Sequence, residues 1–216
     1  MDIAIPLFDR FTALDAVGPY ETLSRLPGAR VTFIAAEAGP KTTDNGMLSL
    51  VAERTLDDLP SPDIVVVPGG IGSRAMMHDE ALIGWVRTAH ETSTWTCSVC
   101  TGSLVLGAAG ILDGLEATTH WMAMDALAST GAIPTGRRVV EQGKIITAAG
   151  VSAGIDMGLT LAARIAGDLV AQAIQLGIEY DPQPPFDSGS PEKAPAEVVA
   201  ICRGVEALID AGEPVG

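Results

Sequence analysis

The chain has 216 residues, 47% of them hydrophobic and 19% charged, which is the size and composition of one globular domain and excludes a disordered protein. Its net charge of −14 disfavours nucleic acid and anionic membrane surfaces as partners. Three scattered cysteines, and the lack of a basic, apolar leader at residues 1–8, predict a protein of the reducing cytoplasm.

Short β-rich runs alternate with longer runs of helical spacing. Strands are predicted at residues 2–8, 31–35, 63–67, 94–99, 117–119, 138–141 and 144–148. Helices are predicted at residues 12–26, 73–90, 101–109, 122–129, 153–166, 169–178 and 196–211, with Thr12 as the cap of the first. Asn45-Gly46 and Gln142-Gly143 predict hairpin turns, and residues 181–195 predict a Pro-rich loop or arm.

This alternation predicts right-handed βαβ crossovers and therefore an α/β fold, with a mostly parallel sheet and helices on both faces. Neither a linker nor an internal repeat interrupts it, so a single domain is predicted over residues 1–216. Because binding sites of such sheets form beyond the C-terminal ends of the strands, candidate residues are sought directly after strands.

Cys100 is the foremost candidate, since it lies where an apolar strand turns directly into a helix. A residue in such a turn projects above the sheet as a nucleophile does at an elbow, and the helix amides favour its thiolate. A buried, inert thiol is the structural alternative. Cys97, within a predicted strand, and Cys202, in the last predicted helix, are interpreted as packing residues. The Cys97-x-x-Cys100 motif lies too late in a strand to resemble a thioredoxin site.

The glycine run Gly69-Gly70-Ile71-Gly72 follows the strand at residues 63–67. Its backbone can approach a ligand closely, and a peptide N–H of the run could join the Thr101 N–H in a pocket for developing negative charge. A plain strand-to-helix turn would explain the run equally well. The spacing is not that of a dinucleotide-binding fingerprint.

Asp15 lies in an otherwise apolar first helical turn, where poor solvation should raise its pKa and let it hold or share a proton. The alternative interpretation is that Asp15 is an ordinary acidic residue at the start of a helix. His120 follows a predicted strand and could serve as a base, with Trp121 as the wall of a pocket, although a structural histidine is common there. Three scattered histidines without a carboxylate cluster predict no metal site.

Several motifs, in order along most of the chain, resemble those of the isonitrile hydratases within the DJ-1/PfpI superfamily, which is related to the class I glutamine amidotransferases. They are Leu14-Asp15-x-x-Gly18-Pro19-Tyr20, Pro68-Gly69-Gly70, the run from Ser98 through Cys100-Thr101-Gly102 to Gly110, Ala117-Thr-Thr-His120-Trp121, Ser152-Ala-Gly-Ile-Asp156, and Glu179-Tyr180-x-Pro-x-Pro-Pro185-Phe186. The run around Cys100 and the Pro-Pro-Phe segment are the specific ones.

The resemblance implies a flavodoxin-like three-layer sandwich, a homodimer, and hydration of a small isocyanide to an N-formamide without cofactor or metal. It implies Cys100 as the nucleophile, Asp15 as general acid and base, and Thr101 as a neighbour that shapes the site. Gly70, Ile71, His120 and Trp121 are then expected to bind the substrate or its developing charge. Peptidase-like members carry His directly after the cysteine, so Thr101 argues against a Cys–His protease.

Two other classes of function stay open at this point. Sensor domains of AraC-type regulators also resemble this superfamily, which suggests a stand-alone ligand sensor. Oxidation of Cys100 would instead suggest a redox or stress-protective role.

Overall fold

A seven-stranded sheet forms the centre of this computed structural model, which describes residues 1–210 and the side chains of residues 1–205. The strands are β1 (Asp2–Pro6), β2 (Arg30–Ala35), β3 (Gly39–Thr42), β4 (Ser49–Ala52), β5 (Arg54–Thr55), β6 (Ile64–Val67), β7 (Trp95–Val99), β8 (Glu116–Ala117), β9 (Ile133–Pro134), β10 (Val139–Gln142) and β11 (Ile145–Ala148). Seven of these strands form the central sheet, in the order β10-β11-β7-β6-β1-β2-β5.

All neighbours in this sheet are parallel except β10 and β11, which form an antiparallel hairpin across Gly143. The four residues of β6 are all buried, as expected for a central strand covered on both faces. The predicted mostly parallel sheet is therefore confirmed. Its register brings the C-terminal ends of β1, β6, β7 and β11 to one edge.

The helices of the described residues are α1 (Ala13–Leu23), α2 (Ser73–Met76), α3 (Glu80–Thr92), α4 (Gly102–Ala108), α5 (Met124–Ala128), α6 (Ala153–Ala166), α7 (Asp168–Gly177) and α8 (Ala196–Asp210), with a 3₁₀ turn at Trp121–Ala123. Helices of residues 1–179 cover both faces of the sheet. On β7, Thr96 bonds His90 of α3 while Val99 lies against Gly154 of α6. Since these two strand residues point to opposite faces, α3 and α6 cover opposite sides.

Helices α1 and α6 pack against each other through glycines. A Cβ at Gly158 would overlap Thr22 Oγ1, and one at Gly18 would lie 3.3 Å from a side-chain carbon of Ile155. The missing side chains let the two helix backbones approach closely. This contact fixes the start of α1, with Asp15, beside the start of α6.

The predicted helix at residues 73–90 is wrong as a single element, because the structure contains α2 and α3 instead. Asp79 begins the second helix by accepting the Leu82 N–H at 2.9 Å, which is an N-cap bond. The predicted inward face is confirmed, since Leu82, Val86 and Ala89 are buried.

The predicted capping bond of Thr12 is also wrong. Thr12 occupies the N-cap position of α1, but its side chain makes no cap bond. Its hydroxyl donates to Asp44 Oδ2 at 2.6 Å, in the turn between β3 and β4. A neighbouring loop therefore takes the hydroxyl that the first helical turn would otherwise use.

Residues 1–179 form one compact unit, and the chain from Tyr180 forms a second. In the second unit, residues 181–195 have no regular helix or strand, and α8 follows. The helix was expected to end at Ala211, which lies outside the described residues. Val198, Ile201 and Val205 make an exposed apolar stripe on α8. Within the described chain, no helix combines the length and apolar character that crossing a membrane requires.

Candidate active site

Cys100 lies in a sharp turn between the end of β7 and the start of α4. Its φ of 57° is in the left-handed region, which a residue with a side chain adopts only under strain. The turn is held by its own backbone: the Cys100 N–H donates to the carbonyls of Ala148 and Ala149, both at 3.1 Å, and its carbonyl accepts the Thr119 hydroxyl at 3.0 Å. This is the geometry of a nucleophile elbow, as the sequence predicts.

The thiol of Cys100 is more enclosed than the sequence predicts, since the residue is only 5% exposed. Burial, followed by the nearby charge of Asp15, raises the pKa of the Cys100 thiol above its ordinary value. The helix amide of Thr101 does favour the thiolate, as the sequence predicts, but its effect on the thiol pKa is smaller than that of burial. Desolvation therefore outweighs the backbone amides in setting the pKa of this thiol.

Asp15 is fully buried on the first turn of α1. Its Oδ2 accepts the Gly69 N–H at 3.0 Å, while its Oδ1 is buried without a hydrogen-bonded N–H or O–H among the described residues. Burial raises the pKa of Asp15 to about 7, partly offset by hydrogen bonds from Gly69 and the Cys100 thiol. The raised pKa expected from the apolar sequence is thus confirmed.

Asp15 and Cys100 form a coupled pair in which each group alters the pKa of the other. The carboxyl titrates first, near neutrality, because the thiol pKa is displaced further upward. When the pair holds one proton, that proton can lie on the carboxyl group or on the sulfur. The arrangement can therefore generate a thiolate and a carboxylic acid together, next to each other.

Thr101 joins the elbow to the glycine turn after β6. Its Oγ1 accepts the Gly70 N–H at 2.9 Å and contacts the Gly70 carbonyl at 3.1 Å as donor. A Cβ at Gly69 would lie 2.5 Å from the Thr101 nitrogen and 2.9 Å from Asp15 Oδ2, so only glycine fits there. The Gly70 N–H, expected in an oxyanion pocket, is instead bonded to Thr101 because the turn and the elbow pack directly together.

Two backbone amides act on the sulfur, those of Thr101 and Val151, and both lower the thiol pKa by hydrogen bonding. Val151 was missed in the sequence. It precedes α6, and its φ of 43° is unusual for a β-branched residue. The rule of searching after strands could have found it, because Gly150-Val151 closely follows β11, but it carries no chemically active side chain.

His120, Trp121 and Ile71 are half-buried around this edge of the sheet. His120 Nδ1 accepts the Met122 N–H at the start of the 3₁₀ turn, and its ring lies against Gly150, where a Cβ would be 2.5 Å from Cδ2. The ring of Trp121 is 5.9 Å from that of His120, between centroids. The substrate-binding role of all three residues stays a prediction.

Among the described residues, no three His, Cys, Asp or Glu side chains come together as a metal site would require. The site consists of a thiol, a carboxyl group and backbone amides.

A sequence model of the DJ-1/PfpI family matches residues 1–164. The chain belongs to the DJ-1/PfpI family. It is 45% identical over 203 residues to the isonitrile hydratase of Pseudomonas putida, covering 94% of this chain and 89% of that one. It is also 33% identical to the HTH-type transcriptional regulator CdhR of Pseudomonas aeruginosa, over 78% of this chain but only 51% of the regulator.

Solved structures of the family share the fold. A ThiJ/PfpI family protein from Pseudomonas syringae superposes with a TM-score of 0.91 at 38% identity, covering 97% of this chain and 86% of that one. A DJ-1 superfamily protein from Salmonella typhimurium gives 0.74 at 28% identity, covering 84% and 99%. With the sheet order above, these confirm the flavodoxin-like sandwich expected from the resemblance.

Proposed function

We propose that this protein hydrates isonitriles, R–N≡C, to N-formamides, R–NH–CHO, with Cys100 as nucleophile and Asp15 as general acid and base. The observation that carries the proposal is the buried Asp15 carboxyl, with a pKa of about 7, in contact with the Cys100 thiol at an elbow. The 45% identity to an isonitrile hydratase supports the substrate class.

In the first half of the reaction, the Asp15 carboxylate takes the thiol proton and the Cys100 sulfur attacks the terminal isonitrile carbon. A C–S bond forms as one bond of the C≡N triple bond breaks. The protonated Asp15 returns its proton to that same carbon, which gives a thioimidate, Cys–S–CH=N–R, and leaves Asp15 ionised. A pKa near neutrality suits a group that must both accept and donate a proton.

In the second half, the Asp15 carboxylate removes a proton from water, the hydroxide adds to the thioimidate carbon, and Asp15 passes the same proton to the nitrogen. The C–S bond then breaks, the carbonyl forms, and the sulfur leaves with a proton as the thiol. The sum is R–N≡C + H₂O → R–NH–CHO. The balance needs no metal and no organic cofactor.

The surrounding groups have supporting roles in this scheme. The N–H groups of Thr101 and Val151 stabilise negative charge on the sulfur while it attacks and while it leaves. The Thr101 hydroxyl fixes the Gly70 turn, and Ile71, His120 and Trp121 line the approach of the substrate. An uncharged substrate suits a site in which burial disfavours charged groups.

The test is formamide production from para-nitrophenyl isocyanide by purified protein. We expect Cys100→Ala and Cys100→Ser to lower the rate by about 10³-fold or more, because neither supplies a soft thiolate. Cys202→Ser, which removes an exposed thiol, is the matched control and should keep full activity. Normal turnover by either Cys100 variant, with circular dichroism showing a folded protein, would reject the mechanism.

The other two functions suggested by the sequence are less well supported. Oxidation requires a thiolate, whereas burial raises the thiol pKa of Cys100 and slows its reaction with peroxide. The similarity to a regulator covers only half of that regulator. Saturable isonitrile binding without formamide release would favour the sensor.

We further propose that the protein acts in the cytoplasm as a homodimer. Its three described cysteines are free thiols, which suits a reducing compartment. Leu169 and Leu176, 81% and 78% exposed on α7, offer apolar surface for a subunit contact. Static light scattering should then give twice the chain mass.

A further inference from the structure

The turn between β3 and β4 reaches the start of α1, close to Asp15. Phe11 and Thr43 form an isolated parallel bridge, and the Asp44 N–H donates to the Phe11 carbonyl at 2.9 Å. The half-buried Asp44 side chain accepts the Thr12 hydroxyl through Oδ2 at 2.6 Å and the Asn45 N–H through Oδ1 at 2.8 Å. Both carboxylate oxygens are therefore held in place.

Thr12 connects this turn to the catalytic acid. Its carbonyl accepts the Asp15 N–H at 3.1 Å, and its own N–H donates to the Gly69 carbonyl at 3.0 Å. Gly69 in turn donates its N–H to Asp15 Oδ2. Thr12, Gly69 and Asp15 thus form a closed ring of hydrogen bonds, and Asp44 is the side chain that holds this ring from outside.

We propose that Asp44 is a positioning residue that acts through Asp15: it holds Thr12 and, by its negative charge, keeps the proton on the Asp15 carboxyl. The hairpin turn would in this way set the pH at which the Cys100–Asp15 pair becomes reactive. The inference rests on the proposed function for its consequence in catalysis, but the coupling itself is a property of the two carboxyl groups.

The direction of the effect follows from electrostatics. A second carboxylate near Asp15 disfavours its ionisation, and Asp44 is the ionised side chain whose charge raises the pKa of Asp15. Among the described residues, the Cys100 thiol of the elbow also faces Asp15, and its hydrogen bond lowers the pKa of the carboxyl. Gly69, from the turn after β6, contributes a neutral N–H with the same lowering effect.

The reactive form of the pair holds one proton, so kcat/KM should rise with pH through the Asp15 titration near 7. We expect Asp44→Asn to move this midpoint to lower pH by a few tenths of a unit, which makes the variant about two- to threefold faster than wild type below the midpoint. Asparagine keeps one carbonyl oxygen that can accept the Asn45 N–H, and its amide NH₂ can donate to the Thr12 hydroxyl oxygen. Asp44→Ser removes the same charge and should show the same shift should Asp44→Asn fail to fold.

Glu53→Gln is the matched control, because it removes the same charge from an exposed residue beyond β4. Its midpoint should equal that of wild type. A midpoint unchanged in the Asp44 variants, an equal fall in rate at every pH, or the same shift in Glu53→Gln would each overturn the proposal. An unchanged midpoint or an equal fall in rate would mean that Asp44 has only a structural role. An equal shift in Glu53→Gln would mean that the midpoint depends on the net charge of the protein.

A second measurement separates this inference from the proposed reaction. The rate of Cys100 alkylation by iodoacetamide, followed at its peptide by mass spectrometry, also depends on the one-proton form of the pair. The same downward shift of its midpoint in Asp44→Asn supports the coupling even if no formamide is produced. An unshifted alkylation profile would overturn the coupling even if the protein hydrates isonitriles normally.

Discussion

Asp15 is the residue at which the proposed reaction and the stability of the fold make opposite demands. The carboxyl is fully buried and its pKa rises from 3.8 to about 7. Because the folded state binds its proton more tightly than the unfolded state, the free energy of unfolding falls as pH rises from about 4 to about 7. The linked loss is at most about 4 kcal/mol, since each pKa unit corresponds to about 1.4 kcal/mol.

We therefore expect Asp15→Asn to be nearly inactive yet more stable than wild type at pH 8. Asparagine is never ionised, and its carbonyl can still accept the Gly69 N–H. The gain should nearly vanish by pH 4, where the aspartate of wild type is protonated in the folded state and about half protonated in the unfolded state. Urea unfolding of both proteins at pH 4 and pH 8 measures the difference. Equal stability at pH 8 would contradict the raised pKa.

Much of the site at this scale could be predicted from single residues. Cys100 follows an apolar strand, and Asp15 lies among apolar neighbours, so local sequence identifies both. Val151 and Asp44 could not be found in this way. Val151 contributes a backbone amide, which every residue has, and Asp44 acts from a hairpin whose approach to α1 depends on tertiary packing.

At the scale of elements, the contact between α1 and α6 positions Asp15 of the proposed catalytic pair. Asp15 lies on the first turn of α1, and Val151 lies two residues before the start of α6. The two helices approach through glycines, of which Gly158 lies against Thr22. Any group added at this contact must separate the helices or displace Thr22, and it therefore disturbs the acid as well as the packing.

We expect Gly158→Ala to lower the free energy of unfolding by about 1–3 kcal/mol, the usual cost of overpacking, and to lower kcat/KM. Adding Thr22→Ala should restore part of both, because it removes the hydroxyl that the new methyl group overlaps. Gly84→Ala, on α3 with open space around its Cα, is the control and should be neutral or stabilising. Thermal melts and hydration rates measure these effects; an unaffected Gly158→Ala would show that the helices have room to adjust.

Sequence patterns predicted most elements but placed some ends wrongly. Apolar periodicity continues across residues 73–90, so it could not show that α2 and α3 are separate. The separating signal was chemical: Asp79 followed by Glu80 is a typical helix start. At Thr12 the sequence predicts a capping bond that does not form, because the hydroxyl bonds instead to a hairpin turn distant in sequence. The single-domain prediction for residues 1–216 stays a prediction.

The whole molecule carries a net charge of −14, with 27 acidic against 13 basic side chains. Such a protein repels anions at low ionic strength, and salt screens this repulsion over about 10 Å at 0.1 M. An uncharged substrate does not experience this field. The net charge should therefore slow the approach of anionic substrates to the site and leave the approach of uncharged substrates unchanged.

We expect kcat/KM for an uncharged alkyl isonitrile to change little between 10 and 300 mM KCl. For an isonitrile that carries a carboxylate, kcat/KM should start lower and rise severalfold over the same range. Initial rates at matched pH make the comparison. A carboxylate substrate that is as fast as the uncharged one at low salt would show that local positive groups govern its approach.

The backbone at Cys100, with its φ of 57°, is one that glycine adopts readily and cysteine does not. A change to glycine would relieve that strain and end the chemistry at once. A single substitution of Cys100 by glycine would therefore give a less strained but inactive protein, so selection for turnover must act to keep a thiol at this turn.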